Sequence, residues 1–194
     1  MPDLFEGRNM EKRLVCLLPE ARQSGFPQEG RQMDGSKTKQ HQYETRIIWT
    51  GNRDEGTRHY RSYDRTWDMA APGKPVVSCS NDPLLGGDPT KYNPEDLLLS
   101  ALSACHMLWF LHLAANAGLV VHGYVDQPIG VGETTADGAG RFVRVLLQPL
   151  ITLEQGSDVS RADRIHDEIH RYCFIARSVA FPVECKARYE MISA

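Results

Sequence analysis

No CxxC pair, no internal repeat and no cluster of basic residues occurs in this 194-residue chain. Each absence removes a class of function. The Cys/His spacing typical of zinc is missing, so the sequence offers no evident metal site. A formal charge of −3, with acidic and basic residues interspersed, lacks the clustered Lys and Arg that phosphate contacts need. No nucleic-acid partner is therefore expected. Five cysteines, odd in number and irregularly spaced, do not read as a secreted disulfide framework. The longest apolar run near the N-terminus, Val15-Cys16-Leu17-Leu18, falls short of the roughly 7–15 residues of a signal-peptide core. A cytoplasmic location is expected by default, where isolated cysteines stay reduced unless chemistry uses them.

What is present is ordinary for a globular protein: 41% hydrophobic and 24% charged residues, enough for one domain or one domain plus a tail. Residues 1–41, rich in Gly, Gln, Arg, Lys and Glu without a sustained period, read as a flexible extension. The alternatives are a start-site artefact, with Met10 and Met33 as other starts, or an arm that docks on a partner subunit. The domain is expected over 42–194.

From Tyr43 the pattern changes. Tyr43–Thr50, Arg58–Met69 and Lys74–Ser80 look like three strands of a meander, followed by a loop over Asn81–Lys91. Asn93 is a good N-cap, Pro94 suits the first helical position, and Glu95 and Asp96 place negative charge in the first turn. A helix follows through Leu97–Ala117 and stops at Gly118. Further strands are expected at Leu119–Asp126 and Phe142–Leu153 on either side of a Gly-rich stretch, Gly130–Gly140, that suits a hairpin. A second helix runs from Asp158 or Ser160 to Tyr172, and a last strand covers Pro182–Ile192. The order β-β-β-α-β-β-α-β is α+β.

The first helix is apolar on nearly every side, which means a buried core helix or a membrane span. At about 36 Å it is long enough for a bilayer. His106, His112, Asn116 and several serines within it, and the lack of Lys/Arg bias at its ends, argue for no membrane. A helix this long and apolar exceeds what one small domain easily wraps, so burial between two protomers is expected.

Cys105 lies about three turns into that helix. Free cysteine is often only a small buried hydrophobe. Neither His106, about 100° around the helix, nor His112, roughly 10 Å along it, is placed to ionise the thiol. Activation needs a cation from another segment, and Arg is the natural candidate. Cys173 follows the second helix, where a packed residue at a helix end is the plain alternative. Cys79 and Cys185 look structural, and Cys16 lies in the extension. His166 and His170, spaced i, i+4, suggest a metal only superficially, since no HExxH pattern or third ligand accompanies them.

The segment Asn93-Pro94-Glu95-Asp96-Leu97-Leu98-Leu99-Ser100-Ala101-Leu102-Ser103-Ala104-Cys105-His106 resembles the central-helix signature of the OsmC/Ohr superfamily. Ser80-Asn81-Asp82-Pro83 and Gly87-Asp88-Pro89 are similar to the loop before that helix, and His170-Arg171-Tyr172-Cys173 to the second-cysteine motif. The resemblance covers about residues 42–192. It implies an OsmC-like α+β fold with an N-terminal β-meander and a buried central helix, intertwined as a homodimer. It implies reduction of an organic hydroperoxide: Cys105 becomes a sulfenic acid, Cys173 condenses with it to a disulfide, and an external dithiol reductant resets the pair. It implies that an Arg of the meander, best matched by Arg65 and next by Arg61, pairs with Glu95 and steadies the Cys105 thiolate. No cofactor and no metal belong to that mechanism. His106 stands where Ohr-type members carry an aromatic, and Phe174 where Pro follows the second cysteine, so the chain resembles a third, OsmC-like branch. Glu95 and Cys105 are about 15 Å apart on a straight helix, so only a long Arg or a bend could link them. The other readings are an OsmC-like dimer that binds a small apolar ligand without catalysis, and a thiol redox sensor.

Overall fold

A computed structural model of the protein describes residues 39–192. The extension expected over 1–41, with Cys16 and the alternative starts Met10 and Met33, lies outside the described residues up to position 38.

β1 (Arg46–Trp49), β2 (Trp67–Ala70) and β3 (Val77–Cys79) form the expected antiparallel meander, with Trp49 opposite Trp67 and Trp67 opposite Cys79. The middle strand is much shorter than Arg58–Met69. Short polar side chains in and just before its first half bond the local backbone instead. Ser62 Oγ donates to the Gly56 carbonyl at 2.9 Å and accepts from the His59 amide at 3.1 Å, while the Asn52 side chain accepts from the Gly56 amide at 3.0 Å. Such bonds offer the chain an alternative to a ladder.

α1 (Pro94–Asn116) is the expected long helix. A capping box starts it: the Asp96 amide donates to Asn93 Oδ1 at 2.7 Å and the Asn93 amide to Asp96 Oδ2 at 3.2 Å. Gly118 just beyond its end has φ +73°, the left-handed conformation that glycine adopts freely. Within the single chain only the stripe Leu102, His106, Phe110 and Ala114 is buried, one residue in every four. Leu108 remains 62% exposed. Among the described residues α1 is the one helix long and apolar enough to cross a membrane.

Beyond α1 come β4 (Val121–Val125), β5 (Ile129–Thr134), β6 (Gly140–Leu147) and β7 (Leu150–Glu154), then α2 (Val159–Ile169), β8 (Val183–Cys185) and β9 (Arg188–Ile192). Two of the expected strands are each split. Phe142–Leu153 breaks at Gln148-Pro149, because proline has no N–H to give a ladder. Pro182–Ile192 breaks at Lys186-Ala187. The Gly-rich stretch is itself half strand, β5, closed onto β6 by a tight turn at Thr135–Ala139. Gly130 in β5 has to be glycine: a Cβ there would stand 2.5 Å from the Phe142 ring and 2.8 Å from Leu99 on α1.

The two breaks coincide in space. β6 pairs with β8 and β7 with β9, both in parallel, giving sheets of order β5-β6-β8 and β4-β7-β9. Between them the Lys186 amide donates to the Leu147 carbonyl at 2.9 Å and the Arg188 amide to the Pro149 carbonyl at 2.8 Å, so both ribbons turn the corner together. Asp126 braces this corner against α1, accepting from the Gln148 amide at 2.7 Å and from Ser103 Oγ at 2.6 Å.

Two apolar clusters result. One joins Phe110, Ala114, Ile151, Leu153, Ala162, Ile165, Ile169 and Cys173; the other joins Leu102, Val145 and Leu147, with Phe142, Phe181 and Val183 against them. α1 contributes to both, and positions 105 and 106 fall between its two contributions. The α+β fold class holds.

Candidate active site

Cys105 is half-buried on α1 and packs against the cluster that contains Cys173. Cys173 sits in the turn after α2, where its amide donates to the Ile169 carbonyl at 2.9 Å and its carbonyl accepts from Arg177 at 3.0 Å. The turn brings the Cys173 thiol, 1% exposed, into the apolar cluster against which Cys105 packs. Burial, and next the neighbouring Cys105 thiol, push the Cys173 thiol up to about 11, while backbone contacts from Ala176 and Ile175 pull the other way. Both cysteines are free thiols. Residues far apart in the chain are thus brought into one cluster because α1 and α2 pack against each other.

Aromatic rings frame the pair. Trp109, one turn after Cys105, stacks on Tyr172 with centroids 5.0 Å apart and lies edge-on to His112 at 5.6 Å. Phe174 meets Tyr43 edge-to-face at 5.8 Å. Tyr172 and Phe174, which flank Cys173 in sequence, are partly open to solvent. A half-open thiol among aromatic rings suits an apolar co-reactant better than a charged one.

Arg65 lies in the loop leading into β2. Its guanidinium sits over the Tyr60 ring at 4.1 Å and near the Tyr63 ring at 5.1 Å, and Nη2 donates to the Tyr60 carbonyl at 3.2 Å. Buried Ser80 fixes that segment: its Oγ accepts from the Asp88 amide at 2.9 Å and donates to the Arg65 carbonyl at 3.4 Å. Glu95 is exposed in the first turn of α1, and Arg61 is exposed in the preceding loop. In the single chain neither a hydrogen bond nor an ion pair joins Arg65 to Glu95.

The adjacent residue on α1 faces elsewhere. His106, 3% exposed, meets His166 of α2, 7% exposed, with His106 Nε2 2.8 Å from His166 Nδ1. The rings are only 6° from parallel with centroids 5.1 Å apart. A 2.8 Å bond between facing nitrogens at that separation makes them coplanar and edge to edge. They are not stacked faces. Cys185 Sγ of β8 approaches the same Nδ1 at 3.6 Å. Phe110 stacks on the other side of the assembly, 4.5 Å from the His166 ring. Burial holds His106 down to about 3 and His166 to about 4, and it pushes the Cys185 thiol up to about 12. The three ligand atoms lie within 4.8 Å of one another, the set among the described residues suited to a metal ion. Sequence reading paired His166 with His170 instead. His170 caps α2 and is exposed. The real partners stand 60 and 19 residues away and carry no local signature.

The family model for OsmC-like proteins matches residues 86–188 of this chain. Among solved structures, an OsmC-like protein of unknown function from Vibrio cholerae is similar at 24% identity, with TM-score 0.70, over 77% of this chain and 100% of that one. An organic hydroperoxide resistance protein OsmC from Legionella pneumophila is similar at 15% identity and TM-score 0.57, over 79% and 99%. An organic hydroperoxide resistance protein from Elizabethkingia anophelis, with crystallant-derived thiocyanate bound, is similar at 17% identity and TM-score 0.57, over 79% and 100%. At these identities the likeness is one of fold. No curated protein matches the chain.

Proposed function

Since the chain belongs to the OsmC-like protein family, we propose that it reduces organic hydroperoxides, with Cys105 as the attacking thiol and Cys173 as the resolving one. The observation that carries this reading is that the half-open Cys105 packs against the apolar cluster that holds the buried Cys173, from segments far apart in sequence. The Cys105 thiolate attacks the terminal peroxide oxygen, the O–O bond breaks, and the alkoxide leaves and takes a proton as the alcohol. Cys105 is then a sulfenic acid. The Cys173 sulfur attacks it, a disulfide forms and water leaves. An external dithiol reduces that disulfide, becoming a disulfide itself.

Arg65 is the cation proposed to steady the thiolate, with Glu95 as its partner. That role requires the Arg65 side chain to leave the Tyr60 ring and reach toward α1. A homodimer fits the same picture: α1 keeps apolar residues such as Leu108 uncovered by its own chain, and a second copy would cover them. In the reducing cytoplasm the resting state is the dithiol.

Purified protein is incubated with cumene hydroperoxide and a dithiol, and peroxide consumption is followed. Multiple turnovers are expected, and Cys105→Ser is expected to fall to the rate without protein. Equal consumption by Cys105→Ser would refute the assignment. The aromatic frame of Trp109, Tyr172 and Phe174 favours a second reading, a dimer that binds an apolar ligand. Native mass spectrometry separates the two, since a bound small molecule retained in Cys105→Ser, without peroxide turnover in the natural protein, supports the binder.

A further inference from the structure

We infer that His106, His166 and Cys185 form a binding site for one thiophilic d10 metal ion, copper(I) or zinc(II), separate from the Cys105–Cys173 pair. The inference does not rest on the hydroperoxide reading.

Three elements deliver one donor each to the same point: His106 Nε2 from α1, His166 Nδ1 from α2 and Cys185 Sγ from β8. All lie within 4.8 Å of one another in a region where both imidazoles are buried. Two imidazoles and a thiol, with no carboxylate among them, are the donors preferred by zinc and by copper(I) rather than by calcium or magnesium. Two of the three separations are close to those a tetrahedral ion needs, and the third, from His106 Nε2 to Cys185 Sγ, lies within 4.8 Å. Zn–N bonds of about 2.0–2.1 Å and a Zn–S bond of about 2.3 Å place nitrogen and sulfur roughly 3.6 Å apart and the nitrogens roughly 3.3 Å apart. Sulfur and His166 Nδ1 already stand at 3.6 Å. The nitrogens stand at 2.8 Å, so the rings part by about half an ångström as the ion replaces the proton between them.

One proton can lie between the two facing nitrogens, so a hydrogen bond joins them in the metal-free cluster. An ion at His166 Nδ1 would leave the ring proton on the buried Nε2, which has no hydrogen-bond partner with or without the ion.

Binding is balanced. The Cys185 thiol releases one proton to solvent as its sulfur takes the ion, and His106 or His166 moves its ring proton to the other nitrogen. With copper(I) the thiolate complex carries no net charge, the cheapest outcome in a buried site. With zinc(II) one positive charge remains, and the Asp163 and Asp167 carboxylates that act on His166 offset it.

The full chain, reduced and stripped of metal, is titrated in two arms under argon: zinc(II) against a chromophoric chelator and copper(I) against bicinchoninate. One ion per chain is expected in at least one arm, both for the natural protein and for the double variant Cys105→Ser/Cys173→Ser. Cys185→Ser is expected to bind at least about 100-fold more weakly, more than the loss of an outer-shell partner typically causes. X-ray absorption on the loaded natural protein is expected to show one sulfur and two nitrogens, and it decides the matter even where Cys185→Ser fails to fold. Failure to bind in both arms, undiminished binding by a folded Cys185→Ser, or a shell with two sulfurs overturns the site. The two-sulfur result would point to Cys105 and Cys173 instead.

Discussion

Cys105 and His106 are consecutive on one helix, yet they enter different surroundings. The first is half-exposed beside a second thiol and a frame of aromatic rings; the second is sealed into the core against His166 and Phe110. A rotation of about 100° per residue is enough to separate them. Both neighbourhoods are built from the same pair of helices, so the difference lies in access and polarity. On the open side a thiol is within reach of solvent. On the closed side three donors can only be held, either by one another or by an ion.

The contrast can be broken by substitution. Cys105→Ser should abolish peroxide turnover while moving unfolding stability by less than about 1 kcal/mol, since the site is only partly buried. A stability loss of several kcal/mol in urea would mean that the open side is core after all. Phe110→Ala should cost about 3–5 kcal/mol, because the ring is fully buried and supports His166. A loss below about 1 kcal/mol would remove the closed side from the core.

The closed side should also respond to acid. In the metal-free protein His106 and His166 are held below the free imidazole value of 6.5, at about 3 and about 4. The unfolded chain therefore takes up protons first as pH falls. Stability should be complete above about pH 6.5 and fall toward pH 4, with a slope of up to about 1.4 kcal/mol per pH unit for each histidine. Urea titrations between pH 7 and 4.5 would measure it, and an unchanged slope in His106→Gln would assign the loss to other groups. Ser80→Ala should cost about 1–3 kcal/mol by leaving the Asp88 amide without its acceptor. If Arg65 matters to Cys105, the same change should lower peroxide turnover, because Ser80 also holds the Arg65 carbonyl. Turnover unchanged beside a clear stability loss would detach Arg65 from the chemistry.

The open side was legible in the sequence and the closed side was not, for one physical reason. Asn93, Pro94, Asp96 and Gly118 mark the ends of α1 through local bonds, and the motifs around Cys105 and Cys173 are each contiguous. The meander, the two helices and the α+β class followed from such local signals. Strand limits did not: Arg58–Met69 lost its first half to side-chain bonds of Ser62 and Asn52, and the strands around Gln148-Pro149 and Lys186-Ala187 divided where the chain changes sheet. His106, His166 and Cys185 are scattered over α1, α2 and β8, so only tertiary packing reveals them. The all-round apolar pattern of α1 pointed to more surface than one small domain covers, and in the single chain only one stripe of the helix is buried.

The paired corner at Leu147–Pro149 and Cys185–Arg188 has a mechanical consequence. Each ribbon carries one strand into each sheet, and the rungs at Lys186 and Arg188 tie the bends together. Neither apolar cluster can melt while the other keeps its strands in place. Amides of Val145 in one sheet and Ile151 in the other should therefore exchange with solvent in a single cooperative opening, as one unfolding unit rather than two.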